Sequence, residues 1–128
     1  MAVQSYRDLK VWRASLTLVE EIYHLTSTFP KNELFSLTQQ LRRASISIPS
    51  NIAEGHSRRS TGDFLRFLHF AGGSLAEVHT QLLIANRLRY SGISETDALL
   101  RNVDELGKML RGLQQSLRRR PLRKRVAH

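Results

Sequence analysis

The chain has 128 residues with 41% hydrophobic side chains, which is enough for one buried core and short for two. Its three prolines, seven glycines and 7% aromatic content favour helices over strands, and twenty Lys and Arg against eleven Asp and Glu leave a net charge of +9. The absence of cysteine excludes disulfides, thiolate metal sites and a thiol nucleophile, and no apolar run approaches the roughly 20 residues that cross a bilayer.

The N-terminal stretch carries Arg7, Asp8 and Lys10 where a secretory signal needs its apolar centre, so a cytoplasmic protein without a membrane partner is expected. The positive charge is uneven. Six cations lie between Arg118 and Arg125, while positions 1–117 hold fourteen basic and eleven acidic residues. The expected organisation is a short leader over residues 1–5, one helical domain over 6–117 and a basic tail over 118–128, disordered after Pro121.

The first periodic segment runs from about Tyr6 to Thr28 and carries two apolar stripes. Leu9, Trp12, Leu16, Val19 and Tyr23 form one; Val11, Leu18, Ile22, Leu25 and Phe29 form the other. Lys10, Arg13, Thr17, Glu20 and His24 share the polar face. Two stripes exceed what neighbours within one bundle cover, which predicts self-association.

After a turn at Phe29-Pro30-Lys31-Asn32, the second segment spans about Glu33 to Ala53 with Leu34, Leu37, Leu41, Ala44, Ile48 and Ile52 on one side. Pro49 lies inside it and predicts a kink or break near Ser47 to Ser50, with Gly55 as a helix C-cap. The third segment begins at Ser60, a hydroxyl cap with Asp63 three residues on, and reaches about Arg89 through Phe64, Leu68, Ala71, Leu75, Val78, Leu82 and Ala85. Gly72 and Gly73 each cost about 1 kcal/mol there, so a close helix crossing is expected at Ala71-Gly72-Gly73-Ser74. Ser94-Glu95-Thr96-Asp97 resembles a capping box opening the fourth segment, whose Leu99, Val103, Leu106, Leu110, Leu113 and Leu117 alternate steps of four and three until Pro121. Short connections between four amphipathic helices predict an all-α, antiparallel up-and-down four-helix bundle.

Several blocks also carry a resemblance. Tyr6-Arg7-Asp8-Leu9-Lys10-Val11-Trp12, Ile22-Tyr23, Phe29-Pro30, Glu33-Leu34-Phe35, Gln40 to Ala44, Ser47 to Gly55 and Gly73-Ser74-Leu75-Ala76-Glu77 resemble the bacterial four-helix-bundle family named after open reading frames in 23S ribosomal RNA intervening sequences. The likeness runs from Tyr6 to about Leu113 and is most specific over Gln40 to Gly55; Ser36 stands where glycine is usual and Tyr6 where phenylalanine is common. The resemblance implies a four-helix bundle, assembly as a homopentamer and no enzyme activity. It also implies a distant likeness to the accessory protein of diversity-generating retroelements, which binds nucleic acid and a reverse transcriptase. The tail after Arg118 is outside the shared pattern.

Chemical constellations are sparse. Glu21 and His24 make one Glu-x-x-His step where a di-iron bundle needs two, and His69 and His79 are ten residues apart, so solvated histidines are expected and neither a metal nor another cofactor. Glu54 and His56 have no nucleophile placed beside them by sequence; Glu54 is expected to pair with Arg42, Arg43, Arg58 or Arg59 or to cap the third helix. The basic residues remain. Arg42, Arg43, Arg58, Arg59 and Arg66 form the densest group in the domain and read either as ordinary ion pairs or as a phosphate-binding surface. Arg118, Arg119, Arg120, Arg123, Lys124 and Arg125 form a run able to bind RNA or DNA backbones, or serving solubility. Few exposed aromatics are expected near these cations, which speaks against base stacking. The expected function is a non-enzymatic oligomer that binds nucleic acid through its basic surface and tail. The alternative is a scaffold that docks a partner protein.

Overall fold

The computed structural model describes residues 5–122, so Arg123, Lys124 and Arg125 lie outside the described residues. Four α-helices follow one another: α1 (Lys10–Thr26), α2 (Leu37–Ser57), α3 (Thr61–Arg87) and α4 (Ile93–Arg119), with single 3-10 turns at Tyr6–Asp8 and Lys31–Glu33. Among the described residues there is no strand. Each helix packs against its sequence neighbours, α1 closes onto α4, and the diagonal pairs do not meet, as in an up-and-down bundle. Two ties fix the directions. At one end the Leu122 N–H, beyond α4, donates to Thr61 Oγ1 at the start of α3 over 2.7 Å; at the other, the Phe29 and Tyr90 rings of two connecting loops lie 5.6 Å apart.

The apolar periodicities of α3 and α4 become the core. Phe64, Leu68, Ala71, Leu75, Val78, Leu82 and Ala85 face Leu99, Val103, Leu106, Leu110 and Leu117, all buried, while Leu113 is half-buried. Each fully buried Leu or Ile contributes about 1.5–3 kcal/mol. On α1, Val11, Leu18, Ile22 and Leu25 supply the core stripe; Ser15 joins it because its hydroxyl donates to Trp12 O. The stripe containing Trp12, Leu16, Val19 and Tyr23 is half-buried or exposed.

Helix ends depart from the sequence reading in several places. Ser60 does cap α3, accepting from the Asp63 N–H at 3.1 Å. α4 instead begins after Gly92, and Thr96 Oγ1 donates to Gly92 O rather than Ser94 forming a capping box. α2 begins at Leu37, preceded by a 3-10 turn, which leaves Leu34 exposed and outside the core seam. Nor does Pro49 break α2: the helix runs through it to Ser57, with Ser47 Oγ donating to Ala44 O, Ser50 Oγ to Ile46 O and Asn51 Nδ2 to Ser47 O. These side-chain donors add bonds around the segment where proline removes one.

The close approach expected over Ala71-Gly72-Gly73-Ser74 is made by buried Ala71 and by Ser74 rather than by the glycines. A Cβ at either would meet nothing within 4 Å, although the adjacent Ser74 hydroxyl hydrogen-bonds Ser47 across the α2–α3 seam. Gly55 is the tight point and is not a C-cap; it lies inside α2 against Phe64 and Phe67 of α3. α4 extends to Arg119, so Arg118 and Arg119 belong to the helix rather than to a tail, and Leu122 packs on the core.

Candidate nucleic-acid interface

Up-and-down topology puts the start of α1, the end of α2, the start of α3 and the end of α4 at one end of the bundle. Within two turns of that end and in the adjoining loops stand nine cations: Arg7, Lys10, Arg13, Arg58, Arg59, Arg66, Arg118, Arg119 and Arg120. Three anions, Asp8, Glu54 and Asp63, accompany them. The rest of the described chain carries eight Lys or Arg and eight Asp or Glu. The net positive charge of the described residues therefore resides wholly at one end, where low-dielectric protein on one side and a clustered field on the other attract polyanions.

The arginines singled out by sequence divide between the two ends. Arg58, Arg59, Arg118, Arg119 and Arg120 gather at the basic end, all exposed. Arg42 and Arg43 do not join them: sixteen residues of continuous helix separate Arg42 from Arg58, about 24 Å at 1.5 Å per residue. Arg42 is held locally, its Nε donating to Thr26 Oγ1 at 2.9 Å and its guanidinium lying 4.5 Å from the centre of the Tyr23 ring. A single surface built from Arg42, Arg43, Arg58 and Arg59 is thus corrected to two separate places, because unbroken α2 holds them apart.

Only two ion pairs form among the described residues, both at the basic end. Arg58 Nη2 meets Glu54 Oε1 at 2.9 Å, and Arg66 Nη2 meets Asp63 Oδ1 at 3.7 Å. Both are exposed, and such pairs are worth about 0–1 kcal/mol, so a phosphate oxygen competes readily with either carboxylate. Arg59, at φ 59°, adopts the left-handed backbone that glycine favours after a helix C-cap. His56 is held below the usual histidine pKa, first by burial and then by Arg59, with Asp8 acting in the opposite sense; its ring stands edge-on to Phe64 at 5.5 Å.

Sequence reasoning missed an aromatic group here. Phe67 lies between Arg58 and Arg66, whose guanidinium carbons are 5.3 and 5.2 Å from its ring centre, and Phe70 stands edge-on to Phe67 at 5.6 Å. Phe70 is 46% exposed, an aromatic surface beside these cations where few exposed aromatics were expected. The available signal was the spacing of Arg66 and Phe67, four and three residues before Phe70, which puts each of them one turn from Phe70 on the helix surface. Of the other candidates, Glu21 Oε2 accepts from Asn102 Nδ2 at 2.8 Å, and His24 and His69 are exposed.

A second surface runs between α1 and α2. Tyr6, Trp12, Leu16, Val19, Ile46, Pro49 and Ala53 line a groove that continues past Ile46 to Tyr23, Leu34 and Phe35, with Arg42 and Arg43 along the second part. Ile46 is 41% exposed and Phe35 85%. Among the described residues, no helix is long and apolar enough to cross a membrane.

The model of the 23S rRNA-intervening sequence protein family matches residues 7–112. A crystal structure of a protein of unknown function from the S23 ribosomal protein family of Bacteroides thetaiotaomicron superposes with a TM-score of 0.76 at 24% identity, covering 82% of this chain and 98% of its own. That likeness shows the fold. No curated protein matches the chain.

Proposed function

The chain belongs to the 23S rRNA-intervening sequence protein family, and from that premise we propose that it is a non-enzymatic, self-associating bundle that binds nucleic-acid backbones through its basic end. The observation that carries this reading is the one-ended charge: nine cations face three anions there, and the remainder of the described protein is neutral. Phosphates displacing condensed counterions onto Arg58, Arg59 and Arg118 to Arg120 would be held without reading sequence. Arg123, Lys124 and Arg125 continue the same run in sequence.

The α1–α2 groove supports the self-association in this reading. Leu16, Tyr23 and Ile46 are exposed apolar residues on facing rows of two helices, too many in one place for a surface meant only for water. A homopentamer is the form of assembly that the family resemblance implies, and the cytoplasm is the compartment in which this reading places it. Repetition of the basic end around a ring would multiply its field.

A second reading assigns the protein to scaffolding, with a partner protein on its apolar surfaces and the arginines serving solubility. Phe35 at 85% and Ile93 at 72% exposure, both on the neutral half, favour it. Binding of a short DNA duplex and a short RNA across a salt series separates the two. The first reading requires tight, steeply salt-dependent binding; no binding at low salt leaves the second.

A further inference from the structure

Beside the arginines of the basic end stands an aromatic pair that charge alone leaves without a role. Phe67 is fixed from below, since its Cβ lies against the bare Cα of Gly55 where α2 crosses α3. Phe70 is in turn set edge-on to Phe67, with an interplanar angle of 83°. A large apolar ring 46% exposed at a fixed position is unfavourable in water unless something covers it.

Its aromatic neighbours in the protomer are Phe67, edge-on, and His69, tilted with its ring centre 6.5 Å away, and they leave it 46% exposed. Helical side chains lean towards the N-terminus, so the surface over Phe70 belongs to residues about one turn further on. Gly73 has no side chain, and Ser74 is turned into its hydrogen bond with Ser47. Phe70 itself leans towards Arg66 and the basic end. Nor is Phe70 part of the apolar groove, which lies on the α1 side of α2.

We propose that Phe70 is a base-stacking platform and that the basic end prefers single-stranded nucleic acid over duplex, an inference that rests on the nucleic-acid reading above. Backbone phosphates would run over Arg58, Arg59 and Arg66 while an unpaired base lies on the open face of Phe70. A duplex offers the same phosphates but keeps its bases stacked inside, so it gains only the electrostatic part. Stacking of this kind tolerates any base, so the preference would be for unpaired strands rather than for a sequence.

The test uses the intact protein with a labelled oligothymidylate and a labelled DNA duplex of equal length, read by fluorescence anisotropy across a salt series. The parent is expected to bind the single strand more tightly. Phe70→Leu is expected to lose single-strand affinity about fivefold or more beyond any loss on duplex, with an unchanged salt slope, and Phe70→Trp to retain the preference. Equal affinity of the parent for both probes, equal losses on both in Phe70→Leu, or a change of particle mass in that variant would overturn the stacking role while leaving electrostatic binding intact. Failure of the parent to bind either probe at low salt would overturn both.

Discussion

Gly55 and Phe67 meet so closely that a Cβ built on the glycine would stand 2.6 Å from the Cβ of Phe67, and Phe64 would crowd it at 3.1 Å from its Cδ1. Neither neighbour is the free end of a flexible side chain, so the crossing of α2 and α3 is fixed by the absence of a methyl group. Gly55→Ala should therefore destabilise the fold by about 1–3 kcal/mol. Gly72→Ala, in a helix interior where an added Cβ meets nothing, should stabilise it by up to about 1 kcal/mol. Urea unfolding of the two variants checks both signs at once.

Arg59 poses the opposite case, a side chain kept where glycine would fit better. Its φ of 59° costs a non-glycine residue about 1 kcal/mol. Arg59→Gly is expected to raise the thermal midpoint while weakening nucleic-acid binding and flattening its salt dependence. A variant that is stabilised with unaltered binding would remove Arg59 from the interface.

His56 makes stability depend on pH. Burial and Arg59 lower its folded-state pKa beneath the unfolded value of about 6.5, so the unfolded chain takes up the proton first as pH falls. The contribution of neutral His56 is fully present above that unfolded value and is lost as pH falls from there through the folded pKa. Denaturant midpoints should drop between neutral and mildly acidic pH, and His56→Gln should reduce that drop. Asp8, which opposes the shift, should steepen it when replaced by Asn.

Ile46 joins the two halves of the α1–α2 groove. A charge introduced there, as in Ile46→Glu, should reduce particle mass in light scattering while helix content by circular dichroism stays at the parent's level, because the side chain is already 41% exposed in the protomer. Unchanged mass would place self-association on another surface.

Much of the fold was legible because α3 and α4 each carry a single apolar stripe, and a stripe at helical spacing has only one way to face a core. α1 was ambiguous for the same reason: two stripes offer two cores, and nothing local chooses between Val11-Leu18-Ile22 and Trp12-Leu16-Val19. Pro49 misled because its effect depends on neighbouring donors such as Ser47, Ser50 and Asn51, whose bonds appear only once the helix is built. Arg42 and Arg58 looked like members of one group in sequence, yet an intact α2 puts them at opposite ends. The basic end could have been found from topology alone, since up-and-down connection brings Lys10, Arg58, Arg66 and Arg118 to the same end. Phe70 could not, because its exposure depends on what Gly73 and Ser74 leave uncovered.

The central claim, that one end of the bundle holds nucleic-acid backbones, is tested most directly by comparing charge removal at the two ends. One variant replaces Arg58, Arg59, Arg118 and Arg119 by Gln; the other replaces Arg42, Arg43, Arg87 and Arg89, from the neutral remainder of the bundle. The binding constant for a short duplex is measured against salt concentration. The first variant should bind weakly, and the slope of log affinity against log salt should fall by roughly 0.9 for each phosphate that is no longer neutralised. The second should keep the parent's affinity and slope. Equal losses in both variants would contradict the claim.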